Sequence, residues 1–215
     1  MLTSVPEMAT RLASPEVSAP HRDGQVEPTT LIEQAPNFSR RIAAFALDYL
    51  LIAGYLAILA TVASILAFGP LEDRWQVLMS NPWHMEVVAF VTSILPVMLY
   101  FTLSESSESG ATWGKHRMGL RVVHLSGERL VPGRALVRSV VKLLPWQLAH
   151  TCLFHIPGWP METQEPPAWV MGGLVLVWVV IGLYVATLAL GPTRRTPYDW
   201  VAGSRVVWSR IVDAG

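Results

Sequence analysis

The chain has 215 residues, of which 52% are hydrophobic and 15% charged, with 16 Lys+Arg against 16 Asp+Glu, and its mean hydropathy is +0.38. A soluble domain carries about 25% charged residues, so this balance excludes a disordered chain, a nucleic-acid binder with a basic surface and an ordinary cytosolic enzyme. A single cysteine, Cys152, excludes an internal disulfide framework and a multi-cysteine metal knuckle.

Residues 1–36 contain Pro6, Pro15, Pro20, Pro28 and Pro36 among Ser, Thr and Glu. Too little apolar surface is available to offset the ordering entropy, so a disordered tail is expected there. No basic start followed by an apolar run marks a signal peptide.

The first apolar run follows Arg40–Arg41 and extends from Ile42 to Phe68; Tyr49 to Leu71 is 23 residues without a charge. At ~1.5 Å per residue this crosses a ~30 Å hydrocarbon core. Val87–Ser104 adds 18 uncharged residues and Pro166–Thr193 adds 28. Soluble helices are not apolar all round for such lengths, so all three read as membrane-spanning helices. Leu143–Met161 is also uncharged but holds Pro145, His150, His155, Pro157 and Pro160. Hydropathy alone lets it span, lie on the surface, or enter and return. If it spans, 15 of the 16 Lys/Arg fall on one side, with Arg74 alone on the other. The positive-inside rule selects this arrangement, with both termini cytoplasmic. Trp75, Trp83, Trp159 and Trp169 then gather at the outer interface. Zero net charge is thereby a separation of charge: residues 105–142 carry +4, the segment from Gly191 carries +2, and each outer loop carries −2.

Within the cytoplasmic loop, Leu120–Leu125 is β-branched and ends at the turn pair Ser126-Gly127, before Arg129-Leu-Val131. A short β-hairpin is expected. Gly119-Leu-Arg-Val-Val123 is nearly repeated as Gly203-Ser-Arg-Val-Val207, so the C-terminal segment could join the hairpin as a further strand.

Asp48 lies ~10 Å into the first span by helix rise. An intramembrane acid needs a partner or water. Arg138 and Lys142 are candidate partners; Arg41 shares its helical face but sits two turns away. Two readings remain open: a buried pair that fixes packing, or a station on an ion or proton path. The opposite face carries Ala46, Ala53, Ala57, Ala60, Ser64 and Ala67, small residues that permit close helix approach, either within the bundle or between copies. Gly182 and Ala186 form a similar pair in the last span. Thr196-Pro-Tyr-Asp199 has capping-box form and predicts a short helix ending near Gly203, with Asp199 either a cap or a ligand-binding group.

Other patterns fail chemically. Gly110–Lys115 lacks the spacing and the hydroxyl of a phosphate loop. Ser139-Val-Val-Lys142 lacks the motifs that accompany a Ser-Lys dyad. His84, His150 and His155 form no ligand set. No catalytic residue, metal or cofactor is therefore expected, and the basic loop suits anionic lipid headgroups rather than nucleic acid.

The ordered blocks Arg41-Ile-Ala-Ala-Phe-Ala-Leu-Asp48, Ala111-Thr-Trp-Gly-Lys115 with Gly119-Leu-Arg-Val-Val123, and Asp199-Trp-Val-Ala-Gly-Ser-Arg-Val-Val207 resemble the RDD family of bacterial membrane proteins, named for one arginine and two aspartates. The resemblance runs from about Phe38 to Trp208; Arg138 falls where a further arginine is expected, while Trp200 and Ser204 replace a more usual aliphatic residue and threonine. It implies an all-α integral membrane protein of the bacterial inner membrane: a domain over 38–208 with about four transmembrane helices (42–68, 87–104, 139–157, 168–190) and a cytoplasmic β-hairpin. Arg41, Asp48, Lys115, Arg138 and Asp199 are its signature residues. The family is described as having no established molecular role, with transport of unidentified ligands suggested and cation/proton exchange proposed for some members. Transport of an ion or small solute, through a homo-oligomer, is the leading expectation; a non-catalytic scaffold or accessory subunit is the alternative.

Overall fold

The computed structural model describes residues 35–160 and 163–209. The expected tail therefore lies outside the described residues, save for Ala35 and Pro36, and the Pro36 side chain is fully buried.

Helix α1, Phe38–Phe68, begins four residues before the expected span and ends at Gly69-Pro70, where proline cannot continue it. Helix α2, Glu72–Met79, is short and exposed. Helix α3, Pro82–Ala89, is started by Asn81, whose side chain accepts from the Trp83 N–H at 2.9 Å. It runs through a π-helical turn, Phe90–Ile94, into α4, Leu95–Ser106. Helix α5, Trp113–Arg117, leads to strand β1, Leu120–His124; α6 covers Pro132–Phe154 and α7 covers Ala168–Leu190. Helix α8, Pro197–Ala202, and strand β2, Ser204–Trp208, are the last elements among the described residues.

Among the described residues, three helical stretches are long and apolar enough to cross a membrane: Phe38–Phe68, Pro82–Ser106 and Ala168–Leu190. Most of their side chains face outward, as lipid-facing helices require. The third segment differs from the expectation of 139–157. Pro132, at the first helical position, starts α6 seven residues earlier, and this takes Arg134 and Arg138 into the helix alongside Lys142. Those charges keep it from reading as apolar, yet α6 is the most central helix, packed along α3, the π turn and α4 on one side and α7 on another. Buried Phe101 and Leu143 join α4 to α6, while Cys152 and Val170 join α6 to α7 at the opposite end. There, a Cβ on Gly173 would stand 2.4 Å from the Cys152 sulfur, so the two helices touch without room for a side chain.

Two prolines inside these helices are answered by tyrosines. Pro96 has no N–H for the carbonyl of Thr92, and Tyr55 of α1 donates to that oxygen at 2.6 Å. Pro145 likewise leaves the Val141 carbonyl without its helical donor, and Tyr184 of α7 supplies one at 2.6 Å. In hydrocarbon a bare carbonyl is costly, so each proline ties its helix to a neighbour.

The expected hairpin is not what forms. The Ser126-Gly127 turn is present, but Arg129 meets Val123 in a single bridge. Pro132 starts α6 before a strand can develop. β1 instead pairs antiparallel with β2 over five residues, from Leu120 opposite Trp208 to His124 opposite Ser204. The near-repeat noted in sequence is thus a pseudo-symmetric pair, since Ser209 N–H donates to Gly119 O at 2.8 Å and Leu125 N–H to Gly203 O at 3.0 Å. Val122, Leu120 and Val206 pack with Ala44, Leu130 and Ala135, seating this sheet on α1 and α6.

The small-residue face of α1 is exposed at Ala46, Ala53, Ala57, Ala60 and Ser64, as are Gly182 and Ala186. Among the described residues, no other helix approaches those faces closely. His150 stacks on Phe154, whereas His155 stands edge-on between Trp83 and Trp169, with Nδ1 3.4 Å from a Glu86 carboxylate oxygen.

Candidate functional site

Five elements deliver charge to one buried cluster. Helix α1 contributes Arg41 and Asp48, seven residues apart and so on one face, with Ala44 between them. The last turn of α4 contributes Glu105. Lys115 comes from α5, Arg138 and Lys142 from successive turns of α6, and Asp199 from α8. The three carboxylates are at most 2% exposed.

Asp199 joins the start of α1 to α6 and α8. Its Oδ2 accepts from Arg41 at 3.2 Å and from the Thr196 N–H at 3.1 Å and hydroxyl at 2.8 Å; its Oδ1 accepts from Arg138 Nη2 at 2.8 Å and Nε at 2.9 Å. The capping box read from Thr196 and Asp199 is therefore formed, and Gly203 ends α8 at φ +63°. Burial alone would raise the Asp199 carboxyl, but the Arg138 and Arg41 guanidiniums and the Thr196 N–H hold it well below the usual carboxylate range. Burial, then the neighbouring Asp199, pushes the Tyr198 hydroxyl up.

Arg138 reaches on to Glu105 through Nη1, so one guanidinium joins two carboxylates. The other Glu105 oxygen accepts from Lys115 and Lys142, each at 3.0 Å. Lys142 also lies 3.7 Å from the Phe101 ring centre, and Arg138 lies 5.0 Å from that of Tyr198.

Asp48 does not pair with its candidate partners Arg138 and Lys142, and Arg41, on the same helical face, turns to Asp199 and to the Arg194 carbonyl. Asp48 instead accepts from the Gly114 N–H and the Tyr100 hydroxyl, each at 2.8 Å, and from the Thr112 hydroxyl at 2.6 Å, with Lys115 Nζ 4.0 Å away. The approach depends on Gly114. A Cβ there would lie 2.2 Å from the Ala44 carbonyl oxygen and 2.9 Å from the Asp48 carboxyl carbon. Asp48 thus fastens the α5 segment onto α1, and the apparent phosphate loop is the clasp that receives it.

All five signature residues meet in this one cluster. Glu105, at its centre, was not singled out in sequence. It is the first acid after the second apolar run and faces a markedly basic segment, which is the signal that could have found it. Ser139 donates to the Ala135 carbonyl at 2.9 Å, so it forms no dyad with Lys142. Among the described residues, no group of three or more His, Cys, Asp and Glu is placed to hold a metal ion.

A cavity of about 160 Å³ opens beside the cluster, between α1, α6 and α7. Arg41, Lys115, Arg138, Lys142 and Asp48 line its polar end; Glu105 and Asp199 stand behind the cations rather than on the wall. Its remaining wall is largely apolar.

A family model described as the RDD family matches residues 35–203. No curated protein and no solved structure matches the chain.

Proposed function

The chain belongs to the RDD family, and on that premise we propose that it takes part in transport of a small solute or ion across the bacterial inner membrane. The family and the three apolar helices fit an integral membrane protein. The transport reading is carried by the cavity, which brings four basic side chains and one carboxylate to the end of a largely apolar space between three long helices. Such walls favour an anion. In this reading α6 is a fourth crossing and both termini are cytoplasmic. Its support is the packing of α6 along the whole Pro82–Ser106 helix, with Arg138 at Glu105 near one end and His155 near Glu86 at the other. The exposed small-residue face of α1 leaves room for a second copy, since four helices enclose little pathway of their own.

Flux from proteoliposomes loaded in turn with chloride, phosphate, monovalent cations and protons tests this, with Asp48→Asn as the variant. Asparagine keeps an acceptor for Gly114 and Tyr100, and its amide can donate to the Thr112 hydroxyl, so the clasp should survive. The substitution removes the one carboxylate on the wall, and a several-fold rise in apparent affinity for the transported anion is expected. An unchanged flux would remove Asp48 from the path.

A second reading is a non-catalytic scaffold or accessory subunit that docks a partner or anionic lipid through its basic loop. It is favoured by the completeness of the cluster, in which every carboxylate has several partners, as structural ion pairs require. It predicts that no solute moves and that Asp48→Asn lowers abundance or assembly, because the carboxylate charge 4.0 Å from Lys115 is lost.

A further inference from the structure

The cavity has two chemically different ends. At the polar end stand Arg41, Lys115, Arg138 and Lys142. The other walls come from Phe45 and Tyr49 of α1, Trp146 of α6, and Ile181, Val185 and Leu188 of α7. Four lining residues, Ile42, Phe45, Trp146 and Val185, are also exposed on the outside of their helices. The rim is therefore apolar and belongs to the surface that α1 and α7 present to hydrocarbon, so the cavity opens sideways toward acyl chains.

We infer that this cavity binds an anionic amphiphile taken from the bilayer, with one acidic headgroup among Arg41, Lys115 and Lys142 and the start of one acyl chain between Phe45, Trp146 and Val185. The inference rests on the reading of the cavity as a solute site and names the class of solute.

Charge is the first support. The cluster sets four basic groups against three carboxylates, Asp48, Glu105 and Asp199, so with all of them ionised one positive charge has no partner in a poorly hydrated place. Such a charge is costly until an anion meets it. Donor capacity points the same way. An ammonium has three N–H groups, yet Lys142 makes one hydrogen bond, to Glu105, among the described residues. Size supplies the third support. A cavity of ~150 Å³ accommodates a benzene-sized guest, so 160 Å³ is too little for a whole lipid but admits a headgroup and its first carbons. The rest of a chain would leave through the apolar rim. A bare inorganic ion would leave the apolar walls unfilled, and a neutral oil would leave the ammonium groups unanswered.

Binding to the full chain in nanodiscs of phosphatidylcholine alone decides this, with labelled oleoyl lysophosphatidate as probe. Inorganic phosphate serves as head without tail, and monoolein as tail without charge. Lysophosphatidate is expected to bind at least tenfold more tightly than either. Val185→Trp, which fills the rim and leaves every basic residue in place, should weaken it at least tenfold. Val179→Trp, on the same helix but outside the cavity, should not. Ile181→Phe, about one turn deeper, repeats the test if Val185→Trp does not fold. Equal binding by wild type and the filled variants would overturn the inference, because the probe would then be held by the basic surface alone. Phosphate binding as tight as lysophosphatidate would also overturn it while leaving an anion site intact. No binding of any probe would end both readings.

Discussion

Replacing Gly114 with alanine tests the way α5 is held on α1. The added Cβ would lie 2.2 Å from the Ala44 carbonyl oxygen and 2.9 Å from both the Asp48 backbone nitrogen and carboxyl carbon. Carbon and carbonyl oxygen normally rest ~3.3–3.6 Å apart, so α5 must retreat by about 1 Å. The obstacle is helix backbone, which cannot swing aside as a flexible side chain would. Retreat stretches the 2.8 Å bond from Gly114 N–H to Asp48 beyond hydrogen-bonding range. Overpacking costs ~1–3 kcal/mol, and a lost bond to a charged acceptor ~1.5–3 kcal/mol. Taken together, destabilisation of about 3–5 kcal/mol is expected. Thermal unfolding of the full chain in one detergent should then fall by roughly 10 °C, using ~2–4 °C per kcal/mol at this chain length. Gly54→Ala is the control, because a Cβ at Gly54 meets nothing within 4 Å and alanine is the better helix former. If Gly114→Ala melts beside Gly54→Ala, the clasp described above does not exist.

Arg138→Met should cost ~3–5 kcal/mol, since it leaves Glu105 and Asp199 facing one another's surroundings without their shared guanidinium. Arg138→Lys should recover little of this, because one ammonium cannot bridge both acids; a near-wild-type melting temperature for the lysine variant would refute the bridge. Tyr55→Phe and Tyr184→Phe each strip the donor from a carbonyl that a proline has freed, and a loss of ~1–2 kcal/mol apiece is expected. Restoring the helical donor with Pro96→Ala or Pro145→Ala should reduce that loss, and persistence of the full penalty would argue against the pairing. The Asp199 carboxyl is depressed in the folded chain, so its stabilising contribution is fully present above the unfolded value of ~3.9 and is lost as pH falls below it toward the folded value. Asp199→Asn should flatten that part of the stability profile, whereas an unchanged acid limb would show that Asp199 does not contribute to it. Single-cysteine labelling at Thr163 and Ser126 tests whether α6 crosses; the four-span arrangement predicts opposite faces, and two cytoplasmic sites would exclude it.

Much of this protein was legible as local pattern. The three long apolar runs gave membrane-length helices because length and hydropathy are properties of a segment by itself. The Thr196–Asp199 capping box was equally readable, since its partners lie three residues apart. Chain order and spacing in the Arg41–Asp48 and Asp199–Val207 blocks were enough to carry the family resemblance. The strand segments were visible too, and the near-repeat suggested that the C-terminal segment joins them; what was not visible is that β2 takes the place of the near strand after Ser126-Gly127 rather than adding to it.

What tertiary structure alone decided was the choice of partners. Arg41 and Asp199 are 158 positions apart, Arg138 and Asp199 are 61 apart, and Tyr100 and Asp48 are 52 apart. No periodicity connects residues at such distances. The same holds for α6, whose basic residues lower its hydropathy while Glu105 and Asp199, from other elements, answer Arg138 and Lys142 in the fold. Charge that counts against burial in a sequence window is largely balanced once acids from α4 and α8 arrive beside it. Composition and local order therefore specify a chain built for a bilayer; which acid meets which base is settled only when low-dielectric packing makes an unpaired charge more costly than the contacts that bring its partner near.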